Sequence, residues 1–173
     1  MAPRLITIMG VSGTGKSSLA IAVARKVNGI YLDADDFHTN ECKTLMAEGI
    51  GISDQQRQEW LIRLMKGISE QLSTDQDVVL AFSGLKKAHR KQVYSSFSNQ
   101  WQFMLEGSPD LILKRLMNRS DHFAGADLLP SQILAMEPID TNEELVIKLA
   151  INLLPKEQVA LVVDSISQEK VWC

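Results

Sequence analysis

A glycine-rich run near the start of the chain carries its strongest structural signal, and it reads Gly10-Val11-Ser12-Gly13-Thr14-Gly15-Lys16-Ser17. This run matches the phosphate-loop pattern G-x-x-x-x-G-K-[ST] at every fixed position. The apolar residues 5–9 before it predict a buried strand, and the helical spacing of apolar residues over 17–27 predicts a helix after it. A strand, a turn and a helix in this order are the context that a phosphate loop requires.

Each part of the loop has a physical task. The glycines allow positive φ and let several backbone N–H groups approach one phosphate, while the following helix directs its positive end at the same point. Lys16 is expected to reach the β- and γ-phosphates, and the Ser17 hydroxyl is expected to bind Mg²⁺. We therefore predict that the chain binds ATP with Mg²⁺. The predicted ATP-binding residues are Gly10, Ser12, Gly13, Thr14, Gly15, Lys16, Ser17 and Ser18.

Length and composition narrow the class of protein. The chain has 173 residues, of which 45% are apolar and 23% charged, as expected of one globular domain. The net charge of −3 argues against a general nucleic-acid binder, and the sequence contains no apolar run of the ~18 residues that a membrane span needs. Two cysteines, Cys42 and Cys173, make no disulfide framework. These features favour a cytoplasmic protein without nucleic-acid or membrane partners.

Strand and helix patterns alternate along the chain. Strands are predicted at 5–9, 30–32, 77–82, 101–105 and 145–151, with helices at 17–27, 37–48, 53–72, 86–97, from 109, and at 155–168. The strand patterns are continuously apolar, which is typical of a parallel sheet covered on both faces. We predict a three-layer α/β/α fold with a mainly parallel five-stranded sheet, formed by residues 1–173 as a single domain. Ligands of such folds bind beyond the carboxyl ends of the strands.

The loop alone does not name the reaction, because GTPases, ATPase motors and small-molecule kinases share it. The chain is short for a motor domain, and the sequence lacks an Asn-Lys-x-Asp segment that would read guanine. A kinase acting on a small molecule is therefore the leading class.

An acidic segment that follows the second predicted strand fits this class. It reads Asp33-Ala34-Asp35-Asp36-Phe37-His38. Phosphoryl transfer needs one group that orients the acceptor hydroxyl and carboxylates that organise Mg²⁺, and two acids spaced i, i+2 can divide these tasks. The alternative is a solvated acidic turn that caps the next helix.

Several segments together resemble the gluconokinase family, which belongs to the shikimate-kinase-like and adenylate-kinase-like group of P-loop kinases. The resemblance begins with MGVSGTGKSS at 9–18, LDADDFH at 32–38 and a D-x-x-R-x-x-W-L run at 54–61. It continues in the same order through Ser83-Gly84-Leu85-Lys86-Lys87, Arg119, His122-Phe123, Leu129, Ser131-Gln132 and Glu137-Pro138.

The resemblance implies ATP-dependent phosphorylation of gluconate on its 6-hydroxyl, giving 6-phosphogluconate. It implies that Asp33 helps Ser17 to hold Mg²⁺ and that Asp35 orients or deprotonates the acceptor hydroxyl, with Lys16 and Arg119 completing the catalytic set. It also implies an acceptor-binding helical segment at about 36–72, a mobile lid at about 119–131 and a homodimer. The remaining residues implied to bind the sugar acid are His38, Arg57, Lys86, Arg90 and His122.

Three of these residues, and two others on predicted helices, also have a plainer interpretation. Arg57 and Arg90 lie on predicted helices and suit a solvated surface. His38 suits local packing or capping, and Trp60 at helical spacing indicates core. Arg115 is interpreted as a surface residue.

The sequence departs from the family pattern mainly on the acceptor side. Asp33-Ala34-Asp35 stands for the family's Asp-Gly-Asp, Phe37-His38-Thr39 for Leu-His-Pro, and His89-Arg90 for a Tyr-Arg pair. A site built on polar contacts changes its selectivity when those contacts change. Another sugar acid or a polyol therefore stays open as the acceptor, as does a nucleotide-binding sensor without transfer activity.

Overall fold

The computed structural model describes residues 2–118 and 124–168, with the side chains of the second range described from residue 129 onward. Its strands are β1 (Leu5–Met9), β2 (Ile30–Asp33), β3 (Val78–Phe82), β4 (Gln100–Glu106) and β5 (Val146–Ala150). Its α-helices are α1 (Lys16–Val27), α2 (Asn40–Ala47), α3 (Asp54–Leu72), α4 (Lys87–Ser95), α5 (Pro109–Met117), α6 (Ala124–Ala135) and α7 (Pro155–Ser167). A short 3-10 helix covers Ala34–Phe37.

The strands form one sheet in the order β2-β3-β1-β4-β5, and every pairing is parallel. In the register of the central strand, Ile8 lies opposite Ala81 on one side and Phe103 on the other. The parallel register brings the carboxyl ends of all these strands to one edge, which is the edge that the phosphate loop and the acidic segment follow. The predicted five-stranded parallel sheet is confirmed.

Helices cover both faces of the sheet. Alternate residues of β1 point to opposite faces, so Ile6 and Ile8 join a core with α1, α5 and α7, while Leu5 and Met9 join a second core with α3. All four side chains are buried. Burying an apolar side chain of this size contributes about 1.5–3 kcal/mol relative to leaving it exposed. The two cores explain the three-layer α/β/α arrangement that the sequence predicts.

The acceptor segment differs from its predicted form. The sequence predicts one helix over 37–48, whereas the structure has the 3-10 helix, a break at His38 and then α2. Thr39 causes the break, because its Oγ1 accepts the Cys42 N–H at 3.2 Å as the N-cap of α2.

The predicted lid at about 119–131 is described only from residue 124, where α6 begins. A helix there was not predicted. Arg119 and His122 lie outside the described residues, so their proposed roles remain sequence predictions. In the described ranges, no helix is both long and apolar enough to cross a membrane.

Candidate active site

Backbone geometry shapes the phosphate loop. Gly10, Gly13 and Gly15 have φ values of 149°, 86° and 96°. At Gly13 a Cβ would also meet Leu116 Cγ at 2.6 Å, so α5 packs directly against the loop there. Gly15 is the N-cap of α1. The N–H groups of the first turn of that helix have no intrahelical acceptors, which makes this turn suited to binding an anion.

Thr14 supports the loop from within. Its side chain is buried, and its Oγ1 donates to the Val11 carbonyl at 2.8 Å. The Gly10 N–H donates to the Ser83 carbonyl at 3.4 Å, which ties the loop to the end of β3. Since the Thr14 N–H donates to the same Val11 carbonyl at 3.3 Å, both donors of this predicted ATP-binding residue are engaged within the loop.

Ser17 and Asp33 meet, as the proposed magnesium site requires. Ser17 Oγ donates to Asp33 Oδ2 at 3.3 Å, and Tyr31 Oη donates to the same oxygen at 2.9 Å. Burial and the hydrogen bond to Asp33 raise the pKa of Tyr31 to about 12, so the phenol stays a donor. One hydroxyl and one carboxylate are oxygen donors of the kind that Mg²⁺ prefers, and substrate phosphates and waters usually complete its coordination.

This donor set fits the ion that the family implies. Across the described ranges, no cluster of three or more His, Cys, Asp or Glu side chains is arranged to hold a metal. A kinase magnesium site does not need one, because the substrate phosphates supply much of the coordination.

Asp35 lies next to this pair. Its backbone N–H donates to Asp33 Oδ1 at 3.0 Å in the first turn of the 3-10 helix. Desolvation and the Asp33 charge raise the pKa of the Asp35 carboxyl, and the Lys16 charge opposes them. The hydrogen bond from Ser17 to Asp33 brings the acidic segment against the start of α1, where the phosphate loop ends.

His38 packs against Trp60. The two rings stack at 4.6 Å between centroids with 7° between planes, and Trp60 Nε1 donates to the Ala34 carbonyl at 2.7 Å. Burial and the charges of Arg63, Lys43 and Arg57 lower the pKa of His38 to about 4. His38 is therefore a neutral, buried ring at neutral pH, and the interpretation of Trp60 as core is confirmed.

Two arginines flank Trp60 on α3. Arg57 Nη2 donates to the Ile52 carbonyl at 2.9 Å, and Arg63 Nε donates to the Phe37 carbonyl at 2.9 Å. Arg57 Nε also lies 3.9 Å from Asp54 Oδ1. Sequence reasoning missed Arg63. The spacing 57, 60, 63 is the signal that indicates it, because i, i+3 and i+6 form one row on a helix.

Lys86 stands at the other side of the acceptor region. Its Nζ lies 3.4 Å from Glu137 Oε1, and Glu137 Oε2 accepts the Lys87 N–H at 2.6 Å. Burial lowers the pKa of His89, and the charges of Arg57 and Lys86 lower it further. The ring of His89 in α4 meets Trp60 of α3 edge-on, at 6.2 Å between centroids, so α3 and the start of α4 lie side by side.

The structure corrects the predicted role of Arg90. Its side chain is fully buried, and Glu144 accepts hydrogen bonds from Nε at 2.5 Å and from Nη2 at 2.9 Å. The remaining donors bind backbone carbonyls, which belong to Gly84, Leu85, Glu137 and Pro138. Because the whole guanidinium is engaged, Arg90 joins two connections of the chain and has no donor left for a sugar acid.

Arg115 is also corrected. It was interpreted as a surface residue, but it donates to the carbonyls of Thr14, at 3.4 Å, and Ile151. It thus joins the phosphate loop to the connection after β5. Beside it lies a cavity of about 390 Å³. The cavity walls include Gly13, Thr14, Gly15, Ser18, Leu19, Ala22, Arg115, Asn118, Leu153, Pro155, Gln158 and Val159.

Comparison with known proteins gives this geometry a family. A family model described as AAA domain matches residues 5–137. The probable gluconokinase of Dictyostelium discoideum is 37% identical over 147 residues, covering 82% of this chain and 73% of that protein. The chain belongs to the gluconokinase family.

Two solved structures agree with this membership. A sugar kinase from Janibacter sp. HTCC2649 has a TM-score of 0.87 at 27% identity, covering 95% of each chain. A gluconokinase from Sinorhizobium meliloti 1021 has a TM-score of 0.80 at 29% identity, covering 96% of this chain and 93% of that one. As a member of this family of P-loop kinases, the chain is a nucleotide-using phosphotransferase.

Proposed function

We propose that this protein transfers the γ-phosphoryl group of ATP to the 6-hydroxyl of D-gluconate, giving 6-phosphogluconate. The observation that carries the proposal is the hydrogen-bonded connection from Ser17 through Asp33 to Asp35, at 3.3 Å and 3.0 Å, at the mouth of the phosphate loop. It joins the elements of a phosphoryl-transfer site: a phosphate cradle, oxygen ligands for a cation and a carboxylate for the acceptor.

On the nucleotide side, Gly10, Ser12, Gly13 and Gly15 would shape the backbone cradle for the phosphates, followed by Lys16 to Ser18 in the first turn of α1. Lys16 would stabilise the charge that develops on the transferred group. Ser17 and Asp33 would hold Mg²⁺, which when bound neutralises phosphate charge. The adenine ring would occupy the cavity beside Arg115 and Pro155, because its walls also include Gly13 to Gly15 of the loop.

On the acceptor side, Asp35 would align the hydroxyl and accept its proton. A carboxylate whose pKa is raised by desolvation and by Asp33 is a better proton acceptor than an ordinary one. Arg57 and Lys86 would bind the sugar-acid carboxylate, and His38 would form a neutral wall behind Arg57. Arg119 and His122 keep their predicted lid roles.

A different sugar acid is the second candidate acceptor. Arg63 brings an added cation beside His38, and the imidazole of His89 stands where the family pattern has a tyrosine. These groups change the polar surface that would meet the distal hydroxyls, which is the part of the site that would separate one aldonic acid from another.

The cysteines and the family resemblance bear on cellular location and assembly. Cys42 is a buried free thiol, as expected in a reducing compartment. We infer a cytoplasmic protein, and family resemblance suggests a homodimer. Gel filtration with light scattering tests the dimer directly.

The test is ADP release from MgATP with a panel of acceptors comprising D-gluconate, related aldonic acids, shikimate and polyols. Lys16→Ala is the control, because it removes the loop cation and should abolish turnover. Strong gluconate-dependent release by the wild type supports the proposal. Preference for another aldonic acid moves the assignment to the second candidate. If no acceptor stimulates ADP release while ATP still binds, both candidate acceptors are contradicted and a nucleotide-binding sensor is favoured.

A further inference from the structure

Gln132 of α6 makes a two-point contact with the phosphate loop. Its Oε1 accepts the Ser12 backbone N–H at 2.7 Å, and its Nε2 donates to Ser12 Oγ at 3.2 Å. The two residues are 120 positions apart in the chain. A primary amide is suited to this contact, because it carries one acceptor and two donors on a planar group.

Ser12 lies at the edge of the phosphate cradle. The neighbouring N–H groups of Gly10 and Thr14 already donate to the carbonyls of Ser83 and Val11. The anion-binding part of the loop therefore begins at Gly13, whose φ is 86°, and runs into the first turn of α1. Gln132 satisfies the outermost N–H without occupying that part, so its contact holds the loop in shape and does not compete with a phosphate.

The chain just beyond α6 is firmly anchored. The Glu137 N–H donates to the Leu85 carbonyl at 2.7 Å, and its carboxylate accepts the Lys87 N–H at 2.6 Å. Arg90 binds the carbonyls of Glu137 and Pro138 at 3.1 Å each. Glu137 lies five residues after Gln132. The chain is therefore fixed to the β3–α4 connection, which carries Lys86, shortly after it contacts the phosphate loop.

We propose that Gln132 is a positioning residue that fastens the Ser12 edge of the phosphate loop to α6 and so holds the loop ready for nucleotide. The inference deepens the proposed function and rests on it for the reaction. Its effect on nucleotide binding needs no acceptor. A loop with three positive-φ glycines has high conformational freedom when it is untied, and ordering it on binding would weaken affinity.

Substitution of Gln132 distinguishes this role from simple packing. Gln132→Met keeps the length of the side chain and removes both hydrogen bonds. Gln132→Glu keeps an acceptor for the Ser12 N–H but removes the amide donor and adds a negative charge beside the phosphates. Leu134→Ala is the matched control on the same helix, because Leu134 is 88% exposed.

The experiment measures ADP affinity by calorimetry without acceptor, the melting temperature, and the KM values for ATP and for gluconate. For Gln132→Met we expect about tenfold weaker ADP binding, which corresponds to ~1.4 kcal/mol. The melting temperature and the KM for gluconate should stay at wild-type values. Gln132→Glu should weaken ADP binding further, and Leu134→Ala should match the wild type.

A double-mutant cycle adds a second test. Ser12→Ala removes the hydroxyl but keeps the backbone contact, so a two- to threefold loss of ADP affinity is expected from losing one weak hydrogen bond. Combined with Gln132→Met it should add nothing, because the two changes remove one shared contact.

Two results would overturn the proposal. One is wild-type ADP affinity in Gln132→Met. The other is a lower melting temperature together with weaker ADP binding and a higher KM for gluconate, because such a general loss indicates a packing role. If the wild type phosphorylates no acceptor, the proposed function fails while the ADP and melting measurements still decide the role of Gln132.

Discussion

The phosphate loop draws its groups from eight consecutive residues, whereas the acceptor side draws its groups from several separate segments. The loop is mainly backbone geometry, set by Gly10, Gly13 and Gly15. The proposed acceptor side instead combines side chains from different parts of the chain, with Asp35 in the 3-10 helix, Arg57 in α3 and Lys86 just before α4. A site built from backbone groups is recognised from one short motif, and it tolerates few substitutions because its glycines adopt positive φ. A side-chain site can change residue by residue, which is where this chain departs from its family pattern.

The largest effect is expected at the point where the two sides meet. Asp35→Asn keeps the shape of the side chain but removes the proton acceptor, so kcat should fall by about a thousandfold, within the range for general-base groups. ADP affinity should stay near the wild-type value. Steady-state kinetics with gluconate and calorimetry with ADP make the measurement. Asp36→Asn is the neighbouring control and should keep kcat within about twofold. Normal turnover by Asp35→Asn would disprove the assigned role.

The next largest effect is expected for the buried Arg90–Glu144 ion pair, which supports the acceptor side. Arg90→Met leaves the buried Glu144 carboxylate without its partner, so the free energy of unfolding should fall by about 3 kcal/mol. Urea unfolding gives the value, and Lys91→Met, at the next and exposed position, should change little. Adding Glu144→Met should recover part of the loss, because the unpaired charge is then gone. Wild-type stability in Arg90→Met would mean that Arg90 has a role other than this joint.

A smaller effect tests the backbone side. Gly13→Ala combines a φ of 86° with a Cβ that meets Leu116 Cγ at 2.6 Å, so the free energy of unfolding should fall by about 2 kcal/mol. Gly49→Ala is the matched control, with a φ of 74° and open space around the added Cβ. It should cost about 1 kcal/mol from conformation alone. Equal losses in the two variants would show that α5 does not restrain the loop. Urea unfolding without nucleotide separates them.

The most gradual effect is a pH dependence on the acceptor side, which is spread over several pH units. The pKa of His38 is lowered from 6.5 to about 4 in the folded protein, so the unfolded state binds its proton first as the pH falls. His38 should therefore lower the stability as pH falls from about 6.5 towards 4, by at most ~1.4 kcal/mol per pH unit. His38→Gln should flatten that part of the stability curve. Identical slopes for the two proteins between pH 6.5 and 4.5, measured by urea unfolding, would contradict a buried neutral His38.

Several particular residues show where sequence reasoning stopped. Arg90 was predicted to bind the acceptor because it follows the Lys86 segment in a family pattern. Its partners, Glu137, Pro138 and Glu144, are 47 to 54 residues further along the chain, and no local pattern indicates them. Arg115 was misread for the same reason, since its contacts with Thr14 and Ile151 are 101 and 36 residues away.

By itself, the sequence determined the strands, the phosphate loop and the order of layers. These depend on short-range causes: continuous apolar runs, glycines at positive φ, and helix spacing, each written within a few neighbouring residues. It also indicated the acidic segment, because Asp33 and Asp35 follow a strand directly. Only the tertiary structure decided which polar side chains can contact a ligand and which are engaged in hydrogen bonds within the protein. Whether Arg90 contacts a substrate or forms a buried joint depends on partners that are distant in the chain and become neighbours only when the sheet forms. The contact of Gln132 with Ser12 depends on the same long-range approach.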